Sequence, residues 1–367
     1  MPAQGGPRCR TRGATSGGPL NRFLRLAGAA ALAALTASCS LAGTQNQDQS
    51  ARTVTLVAHD SFVADEKLLA KFQETTGIRI NVLNSGDAGE LTNKLVLSKA
   101  SPIGDVAYGV DSTFASRALR EGVFEPHRAP NADQGPQRYA LEPENRLSAV
   151  DVADVCVNID TGWFAQRGLP EPANLRDLAD PRYRDLFSVP DPTTSSPGLA
   201  FLLSTVAAFG ENGWQDYWRQ LAANGTKVSS GWEEAYNQDF SGSAGKGPRP
   251  IVLSYASSPA AEVNPDGSPR TKALTGTCYR QVEYAGVLRG AKDPEAAGRV
   301  VDFLLSPEFQ AQVADTMYVY PSVRDVPLPQ SWVVSAPLPP QPAELPAQQV
   351  EQNRDRWVEQ WRAVVRG

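Results

Sequence analysis

From Val54 to Glu121 short β-rich runs alternate with stretches of helical period, and that alternation limits the chain to a small group of folds. Val54 to Ala58 reads as a strand, and Ala64 to Thr76 as a helix with Leu68, Leu69 and Phe72 on one face and Gly77 at its C-cap. Ile78 to Leu83 reads as a second strand, and the cycle repeats through the helix Glu90 to Ala100, the strand Asp105 to Val110 and the helix Thr113 to Glu121. Such spacing predicts βαβ units on a mostly parallel sheet, with binding groups on loops beyond the carboxyl ends of the strands. A Pro-rich and polar stretch, 126–144, leads to a second block with strands at Asp154 to Asn158, Leu186 to Pro190, Ile251 to Tyr255 and Val282 to Leu288. Within it, DPTTSSPGL (191–199) marks a helix start with Ser196 as N-cap and Pro197 at N1. Helices are expected at Gly213 to Ala223 and Gly231 to Phe240, the latter opened by Ser230-Gly-Trp-Glu233 at capping-box spacing. Asp293-Pro294 and Ser306-Pro307 open two more, and a Pro-rich connector (327–346) precedes a last helix, Ala347 to Val365, whose Trp357 and Trp361 read as packing anchors. The expectation is two α/β lobes joined by a hinge.

The N-terminus points outside the cytoplasmic membrane. Arg22 and Arg25 precede the apolar run Leu26 to Ser38, which is too short to cross a bilayer as a helix and ends in small residues before Cys39. Leu35-Thr-Ala-Ser-Cys39 looks like a lipoprotein signal, with residues 1–39 as signal peptide and Cys39 as the lipidated residue; an ordinary secretory signal is the alternative. The polar stretch 40–52 reads as a flexible tether. Residues 1–39 hold five arginines and no acid, so their removal takes the formal charge from −5 to about −10, which argues against nucleic-acid binding. Of four cysteines only Cys156 and Cys278 stay in the folded body, where export favours a disulfide over two buried free thiols. With His59 and His127 as the only imidazoles, few soft ligands remain for zinc or redox chemistry, and no metal site is expected.

No G-x-S-x-G elbow, phosphate-binding G-x-x-x-x-G-K-[ST] loop or H-E-x-x-H motif occurs, and nothing in the sequence asks for catalysis. Polar and aromatic residues instead gather at strand–helix loops: His59-Asp60-Ser61, Asp87, Asp111-Ser112, Thr194-Ser195-Ser196, Trp232, Tyr255, and Tyr318 with Tyr320. Hydroxyls at a helix start suit a phosphate or hydroxyl oxygen, although simple N-capping is the other reading of that turn. Asp87, between Gly86 and Gly89, reads equally as an N-cap of the helix that follows. Aromatics with a few acids suit a flat cation held by stacking and cation–π attraction.

HDSF (59–62), DPTTSSPGLAFLL (191–203), SSGWEEAY (229–236), VLSYASSPA (252–260), QVEYAG (281–286), VYPSV (319–323) and RDRWVEQWRAVV (354–365) occur in that order. In this combination the chain resembles the thiamine-binding proteins of bacterial ABC importers, over nearly all of Val54 to Arg366. The resemblance implies a two-lobed type II periplasmic-binding fold, with lobe I at 53–149 and 285–320 and lobe II at 150–284 and 321–367. It implies a monomeric, non-enzymatic receptor without cofactor, periplasmic or lipid-anchored at the membrane, that captures thiamine or its mono- or diphosphate and passes it to a permease and its ATPase. The implied pocket has Trp232 and Tyr255 as aromatic walls, Asp87 as the acid toward the cation, and Thr194 and Ser195 at the hydroxyethyl or phosphate end, with Asp60, Ser61 and Tyr320 nearby. The chain departs from the family pattern at three places: His59 and Ala261 replace tyrosines, and Tyr318 replaces a tryptophan. A protonated His59 repels a cationic ring, so affinity is expected to fall on acidification through about pH 6.5.

Two alternatives stand beside this reading. The same fold binds ferric ion, polyamines or phosphonates, but ferric binders use adjacent tyrosines, whereas Val319 separates Tyr318 from Tyr320. An exported enzyme that degrades thiamine needs a nucleophilic cysteine, and one that cleaves phosphate esters is a further possibility; a Cys156–Cys278 bridge removes the first.

Overall fold

The computed structural model describes residues 52–365. The expected signal peptide, Cys39 and all of the expected tether except Arg52 lie outside the described residues. The chain begins β1 (Arg52–Ala58), α1 (Glu66–Thr76), β2 (Ile78–Asn84), α2 (Ala88–Leu97), β3 (Val106–Asp111) and α3 (Ala115–Arg120), close to the alternation read from the sequence. β4 (Phe124–Glu125) and β5 (Ser148–Val152) follow, and the chain then crosses into β6 (Val155–Asp160), α4 (Thr161–Arg167), β7 (Phe187–Pro190), α5 (Ser196–Phe209) and α6 (Trp214–Ala223). β8 (Lys227–Ser229), α7 (Trp232–Glu234), β9 (Ile251–Tyr255) and β10 (Thr271–Ala273) complete the second block. A return crossing gives β11 (Val282–Leu288), α8 (Pro294–Leu304), α9 (Pro307–Thr316), β12 (Tyr320–Pro321), α10 (Trp332–Ser335) and the terminal α11 (Ala347–Val365).

Two sheets result, ordered β12-β5-β11-β3-β1-β2, with β4 also on β11, and β10-β6-β9-β7-β8. The expected mostly parallel sheets are in fact mixed. β1 runs parallel to β2 and β3, and β7 parallel to β8 and β9, but β11 is antiparallel to β3, β4 and β5, and β6 to β9 and β10. The physical reason is the hinge: strands that leave or enter a sheet through the crossings run against the βαβ strands beside them.

The period-2 pattern of β1 sorts its side chains cleanly. Val54, Leu56 and Ala58 pack with Phe72, Val300 and Phe309 on one face, and Val57 packs with Leu91 and Val110 on the other. In the second lobe α5 is apolar all round and buried from Ser196 through Val206, as such helices must be. Trp357 and Trp361 of α11 join its core, with Trp361 edge-on to Trp218 at 5.6 Å. The connector before α11 packs elsewhere: Trp332 and Ala336 sit in the first-lobe core, Trp332 edge-on to Tyr320. The expected second-lobe segment 321–367 is therefore divided between the lobes, because an apolar turn inside a Pro-rich stretch carries no sign of which sheet will cover it.

Both crossings lie side by side. Ala153 N–H bonds Gln281 O, Val155 and Tyr279 exchange two backbone bonds, and Arg280 grips the buried Asp154 carboxylate through Nε at 2.5 Å and a terminal nitrogen at 3.1 Å. Cys156 and Cys278, at the second-lobe end of the same ribbon, are joined by a disulfide. The chain thus changes sheets at 152–155 and 279–282.

Candidate ligand-binding cleft

A cavity of about 530 Å³, in the size range of small-molecule sites, opens between the lobes at the loops that follow the strands. His59, Asp60 and Ser61 come from the turn after β1, and Asp87 and Glu90 from the start of α2. Tyr108 and Glu283 project from β3 and β11, while the second lobe supplies Thr194, Trp232, Glu233, Tyr236 and Tyr255.

The aromatic wall is built by α7 and β9. Trp232 stacks on Tyr236 at 5.0 Å and 13°, meets Tyr255 at 5.9 Å and 47°, and donates its indole N–H to Ser254 Oγ at 2.9 Å. The expected helix Gly231 to Phe240 is only one turn of α-helix that widens into a π-helix at Ala235–Asp239. Its capping box also differs: Glu234, not Glu233, accepts from Ser230 N–H and Oγ, which frees Glu233 to accept from Ser61 Oγ across the cleft at 2.9 Å.

Asp87 stands at the N-cap position of α2 yet makes no cap bond there. Its carboxylate instead reaches into the other lobe, where Oδ1 accepts from Ser196 N–H and Oδ2 from Trp232 N–H, both at 3.0 Å. Burial raises its pKa, against the lowering effect of those two donors. Glu90 N–H adds a third tie, to Thr194 O at 3.0 Å. Ser195, not Ser196, is the N-cap residue of α5, and Asp87 supplies the acceptor that its side chain does not.

The floor is a buried charge network. His59 Nε2 lies 3.3 Å from Glu283 Oε2, and Tyr108 Oη donates to Asp151 at 2.6 Å and contacts Glu283 at 3.1 Å. Burial by itself lowers the His59 pKa, but Glu283, with Asp87 and Asp60 behind it, more than offsets that and the net direction is up. Burial pushes Glu283 the other way, and His59 with Tyr108 brings it below its ordinary value. Asp151 is pushed well up by burial and by Glu283. His59 stabilises the fold fully below its ordinary 6.5 and less as pH rises through its raised value; Glu283 contributes above 4.5 and loses that as pH falls through its lowered value.

The sequence-based midpoint near pH 6.5 therefore moves upward. Loss of the His59 proton removes a positive charge from the cleft, so affinity for a cation is expected to rise several-fold with pH through a midpoint above 6.5, and binding near neutrality to release protons. Calorimetric titration from pH 5.5 to 8.5 in buffers of different ionisation enthalpy reads both; an affinity that stays flat, or His59→Asn with an unchanged profile, contradicts the assignment.

Of the residues expected at the site, His59, Asp60, Ser61, Asp87, Thr194, Trp232, Tyr255 and Tyr318 line the cavity, and so does Ala261. Ser195 and Tyr320 do not. Ser195 is fully buried under the start of α5, and Tyr320 turns into the first-lobe core, where its hydroxyl bonds Ala336 O at 2.5 Å. Tyr318 and Tyr320 thus diverge, and among the described residues no group of three or more His, Cys, Asp or Glu side chains is placed to hold a metal ion. The cysteines are also away from the cavity, buried together beside Ala256. Tyr108, Tyr236 and Glu283 were not singled out from the sequence; Glu283, a carboxylate inside an apolar strand, was the legible signal.

A family model described as "Bacterial extracellular solute-binding protein" matches residues 101–341. The chain is 30% identical over 331 residues to the thiamine-binding periplasmic protein of Brucella suis, covering 86% of this chain and 93% of that one. The thiamine-binding periplasmic protein of Escherichia coli is 28% identical, over 85% and 93% of the two chains. Among solved structures, a periplasmic thiamin binding protein superposes with a TM-score of 0.75 at 26% identity, covering 85% and 96%. A ferric binding protein from Campylobacter jejuni superposes with a TM-score of 0.68 at 18% identity and supports the fold alone. These similar proteins are solute-binding proteins and not enzymes. A two-lobed fold with its cavity at the hinge and a family match over more than half its length place the chain: it belongs to the bacterial extracellular solute-binding proteins.

Proposed function

We propose that this protein captures thiamine outside the cytoplasmic membrane and delivers it to the permease and ATPase of an ABC importer. The observation that carries the reading is the pairing of an aromatic wall, Trp232, Tyr236 and Tyr255, with carboxylates on the facing lobe, an arrangement suited to a flat organic cation. The thiamine-binding names of the relatives at about 30% identity support the same ligand. Polyamines share the positive charge but lack the planar rings that this wall would stack.

In this reading the working residues are His59, Asp60, Ser61, Asp87, Thr194, Trp232, Tyr255 and Tyr318, joined by Tyr236 and Glu283. Binding shifts the population toward the closed form, because Asp87, Glu90 and Ser61 bond across the cleft only when the lobes meet. The lobes would turn about 152–155 and 279–282. A monomer tethered by lipid at Cys39 completes the proposal. Uptake of radiolabelled thiamine by cells with and without this chain tests delivery: uptake at nanomolar supply should collapse on deletion, and undiminished uptake contradicts it. Palmitate labelling that persists in Cys39→Ser would contradict the anchor.

A further inference from the structure

The aromatic wall is held from behind by a hairpin that the site described so far does not include. After the turn Ser258–Ala260 the chain runs out and back through 262–270 before it enters β10. Gly267, at φ +83°, lets it reverse: Gly267 N–H bonds Asn264 O at 2.9 Å and Asn264 N–H bonds Ser268 O at 2.8 Å. Arg270 N–H then bonds Glu262 O at 2.7 Å, which pairs the two residues across the hairpin, and Arg270 O accepts from Thr161 Oγ1 at 2.9 Å, which fixes the hairpin to the start of α4.

The Glu262 side chain turns inward and is only 6% exposed. A carboxylate so buried is costly unless it is paired and hydrogen-bonded, and here both oxygens are engaged. Oε2 pairs with the Arg270 guanidinium, and Oε1 accepts from Tyr236 Oη at 3.3 Å. Tyr236 is the middle ring of three, with Trp232 stacked on it at 5.0 Å and Phe240 behind it at 5.6 Å and 38°. Stacking sets the plane of the Tyr236 ring but not its position within that plane, and the hydroxyl bond to Glu262 supplies the missing restraint. Neither Glu262 nor Arg270 is among the residues that line the cavity.

We infer that Glu262, held by Arg270, is a positioning residue for ligand binding: it locks Tyr236, and through it Trp232, in the orientation on which a flat cation stacks. This rests on the proposed thiamine reading and adds to it a residue outside the cavity. Because Arg270 balances the charge of Glu262, the effect runs through the bond to Tyr236 and not through the carboxylate's field.

The test is a calorimetric titration with thiamine at pH 7.5 of the purified parent, Glu262→Ala, Glu262→Gln, Tyr236→Phe and the double variant Glu262→Ala with Tyr236→Phe, together with near-UV circular dichroism of each ligand-free protein. Glu262→Ala and Tyr236→Phe should each weaken binding about tenfold, and the double variant no more than about twentyfold, because both break the same bond. Glu262→Gln keeps an acceptor for the hydroxyl without the charge and should return to within about threefold of the parent. The indole region of the spectrum should change in Glu262→Ala and Tyr236→Phe and stay near the parent's in Glu262→Gln. An unchanged affinity in Glu262→Ala, losses that multiply in the double variant, or a Glu262→Gln as weak as the alanine overturns the positioning role while leaving the thiamine reading intact. If the parent binds no thiamine, that reading falls, and the indole signal decides the positioning alone: unchanged in Glu262→Ala, it overturns the positioning as well.

Discussion

Trp232→Ala is expected to weaken ligand binding by about 3 kcal/mol, roughly 150-fold, the largest loss from any single side chain of the cleft. Three contributions go together. The indole face offers cation–π and stacking contact worth about 2 kcal/mol when desolvated. Its N–H anchors the ring to Ser254, and its stack on Tyr236 holds the wall flat, so truncation lets the remaining aromatics collapse into the space. Trp232→Phe keeps an aromatic face without the anchor and should cost less than tenfold. Because Trp232 is only partly buried, both variants are expected to unfold near the parent's temperature, which thermal denaturation checks. An alanine variant that binds as tightly as the parent would remove the stacked ligand pose altogether.

The second large effect concerns stability and not binding. Cys156 and Cys278 are 122 residues apart in sequence and both essentially buried, so their bridge closes a long loop in the unfolded chain. Loop-closure entropy for such a length is worth about 4 to 5 kcal/mol. The double replacement Cys156→Ala with Cys278→Ala is therefore expected to lower the urea midpoint substantially, by an amount approaching that figure once multiplied by the slope of the transition. Ligand affinity should change less than threefold, since neither sulfur reaches the cavity. The result also bears on the alternative of a thiol enzyme: an unreduced, denatured protein in which Cys156 and Cys278 react with a thiol reagent would contradict the bridge and restore a nucleophile to consider.

Local signals in the sequence carried far, and non-local ones did not. Ile251–Tyr255, Val282–Leu288 and Ala347–Val365 were read with the bounds the structure has, because each is a strongly patterned run between Pro, Gly or polar breaks. Strand direction was missed. The continuous, mostly apolar run Val282 to Leu288 reads as a strand, but nothing in it says that the chain arrives from the other lobe and must run against β3. The short strands Ser148–Val152 and Lys227–Ser229 are likewise defined by partners far away in sequence.

The site shows the same division. Trp232, Tyr255, Asp87 and His59 were legible as loop residues after strands, and they do face one cavity. What each is bonded to was not legible. Asp87 was read as a cap or as the ligand's acid, and it caps the opposite lobe; His59 was read as a lone imidazole, and its behaviour is set by Glu283, 224 residues away. Ser195 and Tyr320 were misplaced for a simpler reason: a helix cap and a strand residue look the same whether the following element turns them into a cleft or into a core.

The central claim is that this chain is a receptor that holds thiamine without altering it. Calorimetric titration of the purified protein with thiamine at pH 7.5, followed by chromatography of the recovered ligand, tests it most directly. The account predicts one site per chain, a dissociation constant of about 1 µM or tighter, and thiamine returned intact. No measurable heat, or thiamine recovered as cleavage products, would contradict it.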